Sequence, residues 1–264
     1  MLSAEKIKFF QENGYVNGGL VLTEEEVEVL RAETMRVIEE RDRTDIPQPV
    51  LTRNLSQTED APVWQIVDIW MASPPFKTLM AHPKITEGLA QLTNATELRI
   101  WHDQIQYKPP AVGGVNMWHQ DAPYWPIVAP MTEVTAWVAL DDADEENGCM
   151  SMVPGSHLWG DNINFLHTLK KYEDMPDRFE DHEIKVLRCP VKKGEVHYHH
   201  ALTWHGSHAN RSGRPRRAIA LHYMTQDARF VAAGQHPMKP YVEVQDGELL
   251  RGKGFPKVYP AAEF

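Results

Sequence analysis

The order of apolar and polar positions divides the chain into a helical first part and a strand-rich second part. Apolar residues recur at helical spacing in the first forty residues, where one helix is predicted to end at Asn13-Gly14. A second begins at the capping box Thr23-Glu24-Glu25-Glu26, since its apolar positions from Val27 to Ile38 fall on one face. A third is predicted over residues 65–92, interrupted by Ser73-Pro74-Pro75.

Residues 41–62 lack this periodicity and are rich in Pro, Thr, Asn and Gln. A loop of this length is rarely an idle connection in a compact domain, so we expect it to cover a pocket.

After Thr96 the pattern changes to short alternating segments bounded by turns, which is typical of antiparallel β structure. We predict a mainly β fold, a double-stranded β-helix of the jelly-roll or cupin type with the N-terminal helices packed on it. The whole chain, 1–264, is expected to form one domain, with a helical part to about 97, a core over about 98–226 and a C-terminal tail. The predicted strands are 98–107, 134–140, 149–153, 184–187, 195–203 and 217–224.

Composition and charge limit the classes of function that the chain can have. The chain has 264 residues, 42% hydrophobic and 24% charged, which suffices for a real core. A net charge of -10 argues against a nucleic-acid partner, and no apolar run suits a membrane span. Two cysteines and no signal-peptide pattern predict a reducing, cytoplasmic location. Oligomeric state is not predicted. Thirteen histidines, crowded toward residues 182–222, direct attention to metal binding.

One candidate metal pair lies in Met117-Trp118-His119-Gln120-Asp121. In an extended strand His119 and Asp121 share a face, so an imidazole and a carboxylate can bind one ion side by side. Such a pair alone is weak evidence for a metal site, because a chain this rich in His and Asp is expected to contain one by chance.

A third ligand is available downstream at His205. Two histidines and one carboxylate on a β scaffold are typical of non-haem Fe(II) oxygenases, which leave coordination positions open. The spacing leaves other candidates open, namely His197, His199, His200 and His208.

A candidate anion anchor follows in the strand after the next turn. Arg216, Ala218 and Ala220 share one face there, and the small side chains leave room for a ligand. A guanidinium binds a carboxylate in a bidentate fork, so Arg216 suits an anionic co-substrate.

With these residues the sequence resembles the phytanoyl-CoA dioxygenase-like Fe(II)/2-oxoglutarate oxygenases. The resemblance spans most of the chain. It includes Gly14-Tyr15-Val16, Trp118-His119-Gln120-Asp121, Trp137-Val138-Ala139-Leu140-Asp141-Asp142, Glu146-Asn147-Gly148, Val153-Pro154-Gly155-Ser156-His157, His205-Gly206-Ser207 and Arg216.

The resemblance implies a role for each matching residue. His119, Asp121 and His205 match the iron ligands, and Arg216 matches the arginine that binds the far carboxylate of 2-oxoglutarate. Ser207, Trp137 and Gln104 match positions that line the 2-oxoglutarate pocket, with Gln106 a rival to Gln104. Trp125 matches a position that contacts the organic substrate.

The same resemblance implies a dioxygenase that uses Fe(II), 2-oxoglutarate and O₂ and releases succinate and CO₂. Hydroxylation of an unactivated C–H bond of a small-molecule metabolite is the expected outcome. Desaturation, epoxidation or rearrangement would use the same residues. The alternatives are a cupin-like metalloenzyme that does not use 2-oxoglutarate, and a non-catalytic binding or sensing module on the same scaffold.

Overall fold

A computed structural model describes residues 1–56, 62–110 and 114–263. The helices are α1 Ala4–Asn13, α2 Glu24–Glu39, α3 Pro74–Met80, α4 Pro83–Thr93 and α5 Ile163–Leu166. The strands are β1 Tyr15–Leu20, β2 Leu51–Asn54, β3 Trp64–Val67, β4 Leu98–Lys108, β5 Asn116–His119, β6 Val128–Ala129, β7 Val134–Ala139, β8 Met150–Met152, β9 Arg178–Phe179, β10 His182–Glu183, β11 Leu187–Cys189, β12 Glu195–His200, β13 His205–Ser207, β14 Arg216–Thr225, β15 Arg229–Phe230 and β16 Lys257–Tyr259.

Two antiparallel sheets form the core. The main sheet has the order β1-β12-β7-β14-β4-β3-β2, with β16 also paired to β4, and the second sheet has the order β11-β8-β13-β5. Their facing sides pack together, since Trp137 and Ala218 of the main sheet share a buried cluster with Met150 and Met152 of the second. This arrangement confirms the predicted mainly β, jelly-roll fold.

The outer face of the main sheet is apolar and is covered by the N-terminal helices. Ile105, Val138 and Ile219 on the sheet form one buried cluster with residues from α1 to α4, including Val27 and Leu89. Because side chains alternate along a strand, the neighbours of these residues point to the inner face, where the polar residues collect.

The caps of the first two helices follow the sequence closely. The Ser3 hydroxyl accepts from the Lys6 N–H at 3.3 Å, and Gly14 ends α1 at φ +79°. At α2 the predicted capping box forms, because Thr23 and Glu26 each accept from the other's backbone N–H.

Several predicted elements are wrong. Residues 15–20, which lie between the first two predicted helices and were not predicted as a strand, form β1, because they pair with β12. Residues 64–67 form β3 between β2 and β4. Short apolar runs fit a helix or a strand equally well, and the backbone partners decide between them. Pro74 and Pro75 begin α3 instead of interrupting a helix, since proline suits the first helical turn.

The predicted loop over 41–62 is also partly wrong. Residues 51–54 form β2 at the end of the main sheet, and residues 57–61 lie outside the described part of the chain. Two predicted strands are displaced or shortened, with β11 at Leu187–Cys189 and β12 ending at His200. No helix of the described residues is long and apolar enough to cross a bilayer.

Glu133, next to the start of β7, is a buried carboxyl group. Its side chain is 1% exposed, and neither carboxyl oxygen has a hydrogen-bond partner among the described residues. Burial raises the pKa of Glu133 to about 8, because an unpaired carboxylate loses its hydration.

This raised pKa makes stability depend on pH. Between the ordinary pKa of 4.5 and about 8, the folded state keeps a proton that the unfolded chain has released. Stability therefore falls as pH rises through this range. The side chain introduced by Glu133→Gln cannot ionise. Between pH 5 and pH 8 the free energy of unfolding of this variant should therefore rise by about a few kcal/mol relative to that of the wild type. Urea unfolding of both proteins with a chelator present measures this difference, and a difference that is the same at both pH values contradicts it.

Candidate active site

Two of the predicted ligands come from paired strands of the second sheet. His119 at the end of β5 lies opposite His205 at the start of β13, and the imidazole centroids are 4.1 Å apart. Each ring is oriented by a backbone carbonyl, because the Nδ1 of His119 contacts the Met117 oxygen at 2.7 Å and that of His205 contacts the Thr203 oxygen at 2.9 Å. Donation from Nδ1 leaves both Nε2 atoms as free bases, the arrangement usual for metal-binding histidines.

Asp121 lies just beyond β5 and completes the group. The expectation that one strand holds His119 and Asp121 on the same face is wrong, because the strand ends at His119 and Asp121 caps a short 3-10 helix over Ala122–Tyr124. Its backbone N–H donates to the Ala201 oxygen at 2.8 Å, which fixes the turn. Its Oδ1 lies 3.6 Å from the His119 Nε2 and 3.5 Å from the His205 Nε2.

The three side chains fit a divalent metal ion. One ligand atom from each lies within 4.8 Å of the others, and metal bonds of roughly 2 Å place adjacent ligand atoms roughly 3 to 3.5 Å apart. Burial lowers the pKa of His119 to about 4 and also lowers that of His205, so both are neutral bases at neutral pH. Burial opposes ionisation of Asp121, but the surrounding imidazoles, His205 first, hold its pKa well below the usual range.

The rival histidines have other surroundings. His197 stacks on Tyr15 with centroids 5.6 Å apart, and the His200 Nδ1 accepts from the Leu202 N–H. The His208 Nδ1 lies within hydrogen-bond distance, 2.9 Å, of the Ala209 carbonyl oxygen. His199 does reach Asp121, but its Nε2 lies 3.3 Å from Oδ2, the oxygen away from His119 and His205.

Arg216 is a buried cation whose hydrogen bonding is incomplete. The side chain begins β14 on the inner face and the residue is 1% exposed, and it forms no ion pair with a described residue. Its Nη2 donates to the Gln106 Oε1 at 3.3 Å, its Nε has no partner among the described residues, and its Cζ lies 5.5 Å from the Trp137 ring centroid. Burial lowers the pKa of Arg216 to about 10, which leaves it charged at neutral pH. A buried charge of this kind requires an anion.

A second basic side chain, Lys108, lies beside Arg216. The two residues are directly opposite in the pairing of β4 with β14, and Lys108 is fully buried. Its Nζ donates to the Ser207 Oγ at 2.9 Å and to the His208 oxygen at 3.3 Å. Burial, and then Arg216, hold the pKa of Lys108 well below its usual range. A carboxylate bound here would favour the charged form of both.

One cavity of about 660 Å³ extends from the metal group to Arg216, and it is lined by all eight residues to which the family resemblance gave a role in the site. Trp137 and Ser207 lie at the Arg216 end, where Trp137 faces the guanidinium and Ser207 accepts from Lys108. Gln104 accepts from Gln65 at 2.7 Å, while its rival Gln106 contacts Arg216 directly. Trp125 lines the cavity and also packs in a buried aromatic cluster, with its ring 4.8 Å from that of His222.

Sequence reasoning missed Lys108 and Thr135. Lys108 follows Gln104 and Gln106 at steps of two, so strand alternation could have placed it on the inner face. Thr135 carried no such signal. Its contact with Asp121 depends on how the two sheets face each other.

Comparison with known proteins agrees with this geometry. The sequence model of the phytanoyl-CoA dioxygenase (PhyH) family matches residues 10–218. The peroxisomal phytanoyl-CoA dioxygenase of Rattus norvegicus is 26% identical over 254 residues, covering 88% of this chain and 71% of that protein. The phytanoyl-CoA dioxygenase domain-containing protein 1 of Danio rerio is 32% identical over 159 residues, covering 58% of this chain and 54% of that protein.

Solved structures show the same fold. The non-haem alpha-ketoglutarate-dependent carbocyclase SnoK from nogalamycin biosynthesis superposes with a TM-score of 0.76 at 28% identity, covering 97% of this chain and 96% of that one. EctD from S. alaskensis, solved with 2-oxoglutarate and 5-hydroxyectoine, has a TM-score of 0.73 at 20% identity, covering 95% and 86%.

Fold, donor set and relatives together define a non-haem iron, 2-oxoglutarate-dependent oxygenase. Within that class, the chain belongs to the phytanoyl-CoA dioxygenase family. The predicted family, enzyme class and use of Fe(II), 2-oxoglutarate and O₂ are thus confirmed. The cupin-like enzyme without 2-oxoglutarate and the non-catalytic module are not supported by these findings.

The surroundings of Arg216 generate a prediction about co-substrate binding. Hydrogen bonds to charged groups contribute about 1.5–3 kcal/mol, so Arg216→Ala should raise the 2-oxoglutarate KM by roughly 10- to 100-fold while the affinity for metal is kept. Steady-state kinetics and metal titration measure the two effects. Arg214→Ala is the matched control, because Arg214 is exposed and pairs with Asp144 on the surface. An unchanged KM in Arg216→Ala refutes this role.

Proposed function

We propose that this protein hydroxylates an unactivated C–H bond of a small-molecule metabolite, with succinate and CO₂ released from 2-oxoglutarate. The observation that supports it best is one cavity that contains the His119, Asp121 and His205 group together with the buried, incompletely bonded Arg216. One oxygen atom of O₂ enters the substrate and the other enters succinate.

In this proposal His119, Asp121 and His205 hold the iron through two Nε2 atoms and one carboxylate oxygen. Two neutral imidazoles and one carboxylate are the donor set expected for Fe(II), and three protein ligands leave positions free for other molecules. The bound iron supplies the activation of O₂ and the oxidation of the C–H bond. The protein's contribution is to keep both imidazoles unprotonated by burial, while their backbone carbonyl contacts orient each ring so that Nε2 faces the metal position.

The co-substrate lies between the metal group and Arg216. Its far carboxylate would complete the hydrogen bonding of the guanidinium, whose Nε has no protein partner among the described residues. Ser207 and Trp137 line this end of the cavity, and Ala218 and Ala220 leave space there because their side chains are small. Gln104 also lines the cavity and lies farther along β4, opposite Ala220.

The remainder of the cavity defines the class of organic substrate. Among the described residues that line it, Asp121 alone is acidic, and as a metal ligand it is not available to pair with a substrate cation. Apart from Arg216 and Ser207 at the co-substrate end, the other polar side chains include imidazoles, amides, a phenol and Arg53. We therefore expect an uncharged or anionic small molecule, with its apolar part against Trp125.

Three further proposals concern the context of the site. The chain from 1 to 264 acts as a single domain, because helices α1 to α4 share one core with the main sheet, and Leu250 and Phe255 of the tail pack with Trp101. No nucleic acid takes part, in keeping with the net charge of -10. A reducing, cytoplasmic location suits Cys149 and Cys189, which are both free.

The test is formation of succinate by purified protein supplied with Fe(II), 2-oxoglutarate and O₂. Uncharged and anionic candidate compounds should raise succinate release above its level without substrate, and cationic ones should not. His205→Ala should abolish release, while Arg214→Ala should retain it. Absence of succinate under all conditions contradicts the proposal.

Product mass separates hydroxylation from desaturation and rearrangement once a substrate is found. Hydroxylation adds one oxygen atom, as does epoxidation of a C=C bond, desaturation removes two hydrogen atoms, and a ring rearrangement without loss of atoms leaves the mass unchanged. We expect the added oxygen atom to come from ¹⁸O₂. A product without it contradicts hydroxylation and leaves the oxygenase class intact.

A further inference from the structure

Four polar side chains on the inner face of the main sheet form a row beneath Asp121. His199 on β12 is directly opposite Thr135 on β7, which is opposite His222 on β14, which is opposite His102 on β4. All four are buried. The row therefore crosses four adjacent strands in the interior of the main sheet, β12, β7, β14 and β4.

Two members of this row bind the oxygen of Asp121 that faces away from the other ligands. The Thr135 Oγ1 donates to Oδ2 at 3.1 Å, and the His199 Nε2 lies 3.3 Å from the same oxygen. Oδ1 instead faces the Nε2 atoms of His119 and His205. The two carboxylate oxygens are thus engaged on opposite sides.

The direction of each hydrogen bond follows from the carboxylate. An ionised carboxylate only accepts, so the single hydroxyl proton of Thr135 and the Nε2 proton of His199 both point to Oδ2. Thr135 can then only accept from His222, whose Nδ1 is 2.7 Å from its Oγ1 and must donate. With its proton on Nε2, the His199 ring has an unprotonated Nδ1, which has no partner among the described residues.

We propose that Thr135 and His199 are positioning residues that clamp Asp121 Oδ2, so that only Oδ1 is presented to a metal. This inference rests on the proposed ligand set. A carboxylate that is free to turn can bind a metal through both oxygens, and the second oxygen would take a position that 2-oxoglutarate or O₂ requires. The clamp also fixes the carboxylate before metal binds, and loss of such outer contacts typically costs 10- to 100-fold in metal affinity or activity.

Substitutions at two independent positions test the clamp. Thr135→Val removes the hydroxyl while keeping the branched shape, and Thr135→Ser keeps the hydroxyl. His199→Phe removes the N–H while keeping a ring beside His205, whose centroid is 4.6 Å away, and His199→Gln retains a donor. His197→Phe is the matched control, because His197 is buried on the same strand but has no contact with Asp121 among those described.

Metal binding is measured with Co(II), whose visible absorption reports the number and geometry of its ligands, followed by titration with 2-oxoglutarate. Thr135→Val and His199→Phe should each weaken Co(II) binding about 10-fold or more, alter the absorption bands and weaken 2-oxoglutarate binding. Thr135→Ser, His199→Gln and His197→Phe should stay near the wild type. Far-UV circular dichroism and Tm identify any variant that fails to fold, and the conclusion then rests on the other position.

The Asp121→Ala variant separates the clamp from the proposed ligand set. If it binds Co(II) with wild-type affinity and absorption, Asp121 is not a ligand and both proposals are overturned. If it loses Co(II) while Thr135→Val and His199→Phe retain wild-type affinity, absorption and 2-oxoglutarate binding, the clamp alone is overturned.

Discussion

The antiparallel pairing of β5 with β13 is the interaction on which the rest of the site depends. It sets His119 opposite His205, and the backbone bond from Asp121 to Ala201 brings the carboxylate to the same point. A slip of one residue in this pairing would turn one imidazole to the other face of the sheet. The register is protected on both sides, because β13 also pairs with β8 and the Trp118 ring is buried against Tyr172. Chemistry thus depends on sheet register rather than on local sequence.

The two faces of the main sheet have different roles, one in stabilising the fold and the other in forming the site. Its outer face is apolar and packs on the helices, and its inner face collects imidazoles, amides and the basic side chains of Arg216 and Lys108. Such an inner face is unfavourable in the absence of ligands, since each buried polar group lacks some of its hydration. The apolar outer face offsets this cost. A metal ion and a dicarboxylic co-substrate would complete the bonding of several of these groups, so we expect ligands to stabilise the fold as well as enable the reaction.

Several features could be predicted from the sequence because they depend on local patterns. The caps of α1 and α2 are encoded in a few adjacent residues, and the alternation of Arg216, Ala218 and Ala220 places all three on one face. Strands β1 and β3 could not be predicted, since they pair with β12 and β4, which are distant in sequence. For the same reason spacing alone could not choose His205 over His199. Both reach Asp121, and only their approach to different carboxylate oxygens distinguishes them. Lys108 and Thr135 likewise acquire meaning only when strands and sheets are brought together.

We propose that His119, Asp121 and His205 share one iron ion at the end of a pocket closed by Arg216. An anaerobic crystal structure with Fe(II) and 2-oxoglutarate, with anomalous diffraction recorded at the iron edge, tests it most directly. We expect one strong anomalous peak within bonding distance of the two Nε2 atoms and Oδ1, with the far carboxylate of 2-oxoglutarate on the Arg216 guanidinium. An anomalous peak bound by other residues, or a co-substrate carboxylate that leaves Arg216 without an anion, would contradict it.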